Sequence, residues 1–118
     1  MPYFSVYQQD YRGVIPKIPD LFYAKPFNNG KTRFGGAFLE LKSPFGSVDT
    51  GQRKLLARLI RNNEYFVAVV HGHIEAIKLL NLYKKKDQKT GLNTANLEDL
   101  EKLAWCGDTK KEWILSVI

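Results

Sequence analysis

Tyr65-Phe66-Val67-Ala68-Val69-Val70 is the longest unbroken apolar run in the chain. A short, Val-rich run of this kind reads as a β-strand buried on both faces. Immediately before it, Gly51 to Asn63 carries Leu55, Leu56, Leu59 and Ile60 at helical spacing. Arg53, Lys54, Arg58 and Arg61 fall mostly on the other faces of that helix. Asp49 or Thr50 is placed to cap it, and Asn62-Asn63 ends it. Ser43 to Gly51 is a loop with Pro44 and Gly46. Ahead of the loop, Phe34 to Lys42 reads as a strand with Phe38 and Leu39 near its middle. Leu21 to Lys25 reads as an earlier strand closed by Pro26. Between the two, Phe27 to Arg33 contains the turn pair Asn29-Gly30, so they form a β-hairpin. Gly35-Gly36 suggests a bulge or a flexible entry to the second strand. A helix joining two strands calls for an α/β fold with a mixed central β-sheet flanked by helices.

The flanks are read with the same signals. Residues 1–19 are aromatic and polar, broken by Pro2, Gly13, Pro16 and Pro19. Ser5 to Tyr11 is compatible with one helical turn or with an edge strand. After the apolar run, His71-Gly72-His73 turns the chain. Ile74 to Tyr83 is then expected to be a helix with Ile74, Ile77, Leu80 and Tyr83 inward. Lys84 to Asn93 is a polar linker. Leu97, Leu100, Leu103 and Ala104 have helical spacing behind an Asn96 cap, with Gly107 as the stop. Thr109 and Glu112 have capping-box spacing for a short last helix through Trp113.

At 118 residues, 44% hydrophobic and 25% charged, the chain is expected to form one small domain over residues 1–118. An apolar run this short is far below the roughly 20 residues of a membrane helix. Met1 to Tyr11 has no Lys or Arg and no apolar segment follows, so no secretory signal is expected. Cys106 is the single cysteine, which excludes an internal disulfide and a cysteine zinc site and suits a reducing, intracellular setting. The net charge is +6. Residues 1–86 carry 14 basic and 6 acidic side chains, residues 87–118 carry 4 and 6. A basic body with a mildly acidic tail suits a polyanion such as nucleic acid, although a net charge of this size also serves plain solubility.

The residues that carry chemistry are Pro19-Asp20 and Glu40-Leu41-Lys42. Asp20 stands at the start of the first hairpin strand. Glu40 and Lys42, two apart on the second, share a face. Hairpin pairing can bring Asp20 beside Glu40. Two converging carboxylates repel unless a cation lies between them, and oxygen ligands of this kind suit Mg²⁺ or Mn²⁺. A bound metal lowers the pKa of its water, and a neighbouring Lys can position that water and offset the charge developing on a phosphate. The set meets the needs of phosphodiester hydrolysis. Each part also has an ordinary reading: Asp20 as a turn residue, Glu40 and Lys42 as partners on a solvated strand face. His71 and His73 offer two metal ligands at most. The ten aromatic residues of positions 1–45 can fill the sheet core or stack on unpaired bases.

Pro19-Asp20 with Glu40-Leu41-Lys42 resembles the PD-(D/E)XK nuclease signature. The continuation Phe38-Leu39-Glu40-Leu41-Lys42-Ser43-Pro44, followed by Gln52 opening a helix and then Tyr65 to Val70, resembles the VRR-NUC domain. That domain is known as a stand-alone phage-type nuclease and as the catalytic domain of the Fanconi-associated nuclease. The resemblance covers about residues 13–83 and leaves 84–118 as a helical extension. It implies a restriction-endonuclease-like core and metal-dependent cutting of DNA, often branched, flapped or junction DNA. It further implies that Asp20, Glu40 and the Leu41 carbonyl hold the metal, that Lys42 orients or activates water, and that Gln52 supports the site or contacts the phosphate. Some relatives act as dimers, and symmetric cutting of two strands needs two sites, which argues for a homodimer. Similar domains usually begin with a helix that donates another Glu. Here no Glu precedes Glu40, and Gln8, Gln9 or Asp10 would have to fill that place. A DNA-binding or regulatory module with the same core and an incomplete metal site is the alternative.

Overall fold

A computed structural model describes residues 19–42, 48–105 and 109–116 together with the backbone of 6–8. Strand β2 (Leu21–Tyr23) pairs antiparallel with β5 (Ala37–Leu41), with Leu21 opposite Leu39 and Tyr23 opposite Ala37. The expected hairpin is therefore present, but a second one is nested inside it. β3 (Phe27–Asn28) and β4 (Arg33–Phe34) form their own two-stranded ribbon around Asn29-Gly30, where Gly30 takes φ +90°. The Asn29 side chain accepts from the N–H groups of Lys31 and Thr32, which fixes the turn. Buried Asn93 ties the ribbon to the rest of the chain, accepting from the Asn28 N–H at 2.8 Å and donating to the Tyr83 carbonyl at 2.9 Å.

On the outer side of β2 lies β1 (Val6–Gln8), antiparallel to it, so the ambiguous N-terminal segment contributes an edge strand. On the far side of β5 lies β6 (Phe66–Val70), parallel to it with Leu39 opposite Ala68 and Glu40 opposite Val69. The four-stranded sheet runs β1-β2-β5-β6 and is mixed, as a helix between two strands requires. Every residue of β6 is buried although it ends the sheet. On its outer edge the backbone of Trp105 bridges Val69, which interrupts the ladder there.

Helix α1 (Thr50–Asn62) covers one face of the sheet, packing Leu56 and Ala57 on Val67 and Val69. Asp49 caps it, and Asn63 closes it in the left-handed conformation, φ 59°. Helices α2 (Gly72–Lys84) and α3 (Leu97–Ala104) cover the other face, where Leu79, Tyr83 and Leu100 meet Leu39, Phe66 and Ala68. Asn96 caps α3 by accepting from the Asp99 N–H at 2.8 Å. Gly36 explains the glycine pair. A Cβ there would lie 2.7 Å from the Phe22 ring and 2.8 Å from the Tyr23 carbonyl, so the close approach of β2 demands glycine.

Two expectations are corrected. The inward face of α2 is not Ile74, Ile77, Leu80 and Tyr83: Ile74 is 73% and Ile77 38% exposed, and Ala76, Leu79, Leu80 and Tyr83 are buried. A strict spacing of three drifts around a helix of 3.6 residues per turn, so the two ends of that series face opposite ways. The buried set keeps the i, i+3, i+4, i+7 stripe. Thr109 does not cap the last helix either. α4 is Lys111–Leu115, preceded by Lys110 with no side-chain cap. It is held by its other end: Arg53 donates to the Trp113 carbonyl and stacks 4.1 Å from the Trp113 ring, and Arg61 donates to the Leu115 carbonyl. Cationic side chains at a helix C-terminus complement its dipole. The proposed Gly107 stop lies outside the described residues; α3 ends at Ala104 with Trp105 already extended.

The burial of α2 sets the first prediction. Leu79→Ala should cost about 2–5 kcal/mol in urea unfolding, as buried Leu truncations do. Ile74→Ser should stay within about 0.5 kcal/mol of the parent. Equal losses at the two positions would contradict this helical phase.

Candidate active site

The antiparallel register that sets Leu21 opposite Leu39, continued by one residue, sets Asp20 opposite Glu40. The contacts are reciprocal. The Asp20 N–H donates to Glu40 Oε1 at 3.2 Å, and the Leu41 N–H donates to Asp20 Oδ2 at 2.9 Å. Glu40 shares a face with its partner Val69, the face covered by α1. It is 2% exposed, one of two buried polar or charged residues among those described. Lys42, just beyond the strand, brings Nζ to 3.3 Å from Glu40 Oε2.

The fourth member comes from α1. Gln52 is the third residue of the helix, and its amide is fixed at both ends. Nε2 donates to Glu40 Oε2, while Oε1 accepts from Lys42 Nζ at 2.7 Å. The same Oε1 accepts from the Asp49 N–H at 3.2 Å, and the Gln52 N–H donates to Asp49 Oδ1 at 2.8 Å. Asp49 and Gln52 therefore form a reciprocal capping box, and the helix start is built from the residue that links Glu40 to Lys42. The spacing Asp49-x-x-Gln52 was the available signal for this double role. Asp49 is readable as a cap from its position, whereas the bond its own N–H donates to Gln52 Oε1 follows only from that spacing.

The electrostatics of this cluster are unbalanced. Two carboxylates face one ammonium. Burial, and then the adjacent Asp20 carboxylate, push the Glu40 carboxyl up to about 7, and Lys42 only partly opposes them. A carboxylate pair with a surplus of negative charge and oxygen donors is a fitting seat for a hard divalent cation. Asp20, Glu40 and Leu41 stand together here, with Lys42 and Gln52 beside them. Asp10 and Gln9 lie outside the described residues, and only the backbone of Gln8 is described, opposite Leu21. Among the described residues no group of three His, Cys, Asp or Glu side chains converges, and this holds for His71 and His73 as well. The open cleft between α3 and α4, lined by Glu101, Lys102, Trp105 and Lys111, is separate from the carboxylates. Aromatic residues of β2, β3, β4 and β5 mostly pack on one another and on Tyr65, Phe66 and Tyr83. Among the described residues no helix is long and apolar enough to cross a membrane.

Comparison with known proteins identifies the family of the chain. The VRR-NUC domain family matches residues 2–74, more than half of the chain, and the chain belongs to that family. A solved structure described as a VRR_NUC domain protein superposes with a TM-score of 0.56 at 16% identity, over 78% of this chain and 77% of that one. At that identity the likeness concerns the fold, which is restriction-endonuclease-like. No curated protein matches the sequence.

Glu40 sets the second prediction. Its carboxyl titrates near 7 in the fold and near the ordinary 4.5 when unfolded. Between those values the folded protein holds the extra proton, so stability falls as pH rises. The loss in chelator-treated protein should be on the order of 3 kcal/mol from pH 4.5 to 7. Glu40→Gln should remove that slope. Parallel urea-unfolding profiles for parent and variant would contradict it.

Proposed function

We propose that this VRR-NUC family member is a metal-dependent endonuclease that hydrolyses phosphodiester bonds of DNA, directed to branched, flapped or junction substrates. The observation that carries the reading is the closed set Asp20, Glu40, Lys42 and Gln52. It joins a carboxylate pair in need of a cation to an ammonium held one hydrogen bond away. Asp20, Glu40 and the Leu41 carbonyl hold Mg²⁺ or Mn²⁺. When bound, that ion supplies positive charge against the phosphate and makes water more acidic.

The chain's own groups do the rest. Glu40, buried and braced by Gln52, cannot swing away from Asp20. Lys42 has three N–H donors and spends two directions on Gln52 and Glu40, which leaves one for the attacking water or a phosphate oxygen. In the reaction the water oxygen bonds to phosphorus as one ester oxygen departs; the water gives a proton to bulk solvent, and the departing oxygen takes one from solvent. The positive excess of residues 1–86 draws in the DNA backbone, and exposed Lys54 and Arg58 on α1 belong to that excess. Paired cuts in two strands require two copies of the site, supplied by a homodimer.

The test is single-turnover cleavage of a branched DNA in Mg²⁺ or Mn²⁺, with affinity measured separately in Ca²⁺. Lys42→Ala should cleave about 10²–10⁴-fold more slowly, the usual worth of a positioned proton-transfer group, while its affinity falls only slightly. Asp20→Asn and Glu40→Gln should also lose the rise in melting temperature that Mg²⁺ gives the parent. Parental cleavage by Lys42→Ala would remove Lys42 from the chemistry. A parent that binds DNA and cuts nothing with any divalent metal would make the chain a DNA-binding module.

A further inference from the structure

The turn from β6 into α2 sets one more side chain against this site. Glu40 pairs with Val69 and Leu41 with Val70, and the Lys42 N–H donates to the Val70 carbonyl at 2.8 Å. Lys42 follows Leu41 and His71 follows Val70, so the two stand just beyond the last pair of that register. Side chains alternate along a strand, so His71, two residues after Val69, falls on the face of Glu40 and Lys42. The carboxyl ends of adjacent parallel strands are also where α/β sheets bind ligands.

Among the described residues the His71 imidazole makes no hydrogen bond. His71 is the N-cap of α2, yet its side chain makes no capping bond. Its one hydrogen bond among the described residues runs from the backbone N–H to Glu75 Oε2, at 2.6 Å. Ser, Thr, Asp or Asn at this position would cap the helix and stabilise it. His71 is nevertheless half-buried, whereas His73, on the first turn of α2, is exposed. A half-buried ring at a helix start without a side-chain cap, one residue beyond the Leu41–Val70 pair, is accounted for if the ring meets the substrate.

We infer that His71 contacts the substrate at this site, its imidazole N–H donating to a non-bridging oxygen of the phosphodiester held at Asp20 and Glu40. Lys42 approaches that phosphate from β5 and His71 from β6. A neutral imidazole suffices, since one of its nitrogens always carries a proton. The inference rests on the nuclease reading, and its test separates the two.

Single-turnover cleavage of branched DNA is measured for His71→Ala, His71→Gln and His73→Ala, and the His71 ring resonances are followed by NMR as the same DNA is added in Ca²⁺. His71→Ala should cleave about 10–100-fold more slowly, the worth of one hydrogen bond to a charged oxygen. His71→Gln, whose amide N–H reaches a similar place, should recover part of the rate. His73→Ala should match the parent, melting temperatures should be unchanged, and the His71 resonances should shift with DNA. Parental cleavage by His71→Ala overturns the inference and leaves the nuclease reading standing. A parent that cuts nothing while its His71 resonances shift overturns the nuclease reading and keeps the contact. Resonances that stay fixed as DNA binds overturn the contact.

Discussion

The side-chain amide of Gln52 is the constraint on which the site depends. Its nitrogen faces the Glu40 carboxylate and its oxygen faces the Lys42 ammonium. That order cannot be reversed, because an NH₂ group cannot accept from an ammonium and a carbonyl cannot donate to a carboxylate. The Asp49 N–H on the same oxygen adds the start of α1 to the linkage. Strand β5, with Lys42 just beyond it, and helix α1 are thereby tied together. Each is also held by the core, where Leu56 and Ala57 of α1 sit on Val67 and Val69 of β6. Packing places the helix and the amide sets its end.

The second constraint is charge. A buried carboxylate is costly unless it is paired and hydrogen-bonded, and Glu40 is both, yet its proton affinity is still raised. Burial is the larger cause and the neighbouring Asp20 the next. The fold tolerates a pair of acids that one lysine does not neutralise. A purely structural pair could be relieved by replacing either acid with an amide. Keeping both gives the cluster an affinity for positive charge, which is what phosphodiester chemistry uses.

Much of this was legible because it rests on short-range rules. An antiparallel hairpin fixes which residues face each other, so Asp20 beside Glu40 follows once the two strands are recognised. The apolar run of β6 and the periodicity of α1 announce a strand and a helix, and their order forces a parallel pair. What could not be read depends on tertiary packing. The nested β3–β4 ribbon is only two residues on each side and is held by Asn93, far along the chain. The face of α2, by contrast, follows from helical spacing: Ala76, Leu79, Leu80 and Tyr83 keep the i, i+3, i+4, i+7 stripe, and Ile74 and Ile77 fall off it. Glycine at position 36 answers to a ring on β2, a contact that local turn rules do not contain. The last helix carries a capping-box spacing that it does not use, since Arg53 and Arg61 hold its opposite end.

The central claim is that Asp20 and Glu40 form a seat for a divalent cation, with Gln52 and Lys42 fixing one side of it. Crystals soaked in Mn²⁺ and recorded at an energy where manganese scatters anomalously test this directly. One anomalous peak is expected between the two carboxylates, within about 2.3 Å of an oxygen from each, and it should be lost in Glu40→Gln. Asp20 and Glu40 still bonded to each other at saturating Mn²⁺, with no peak between them, would contradict it.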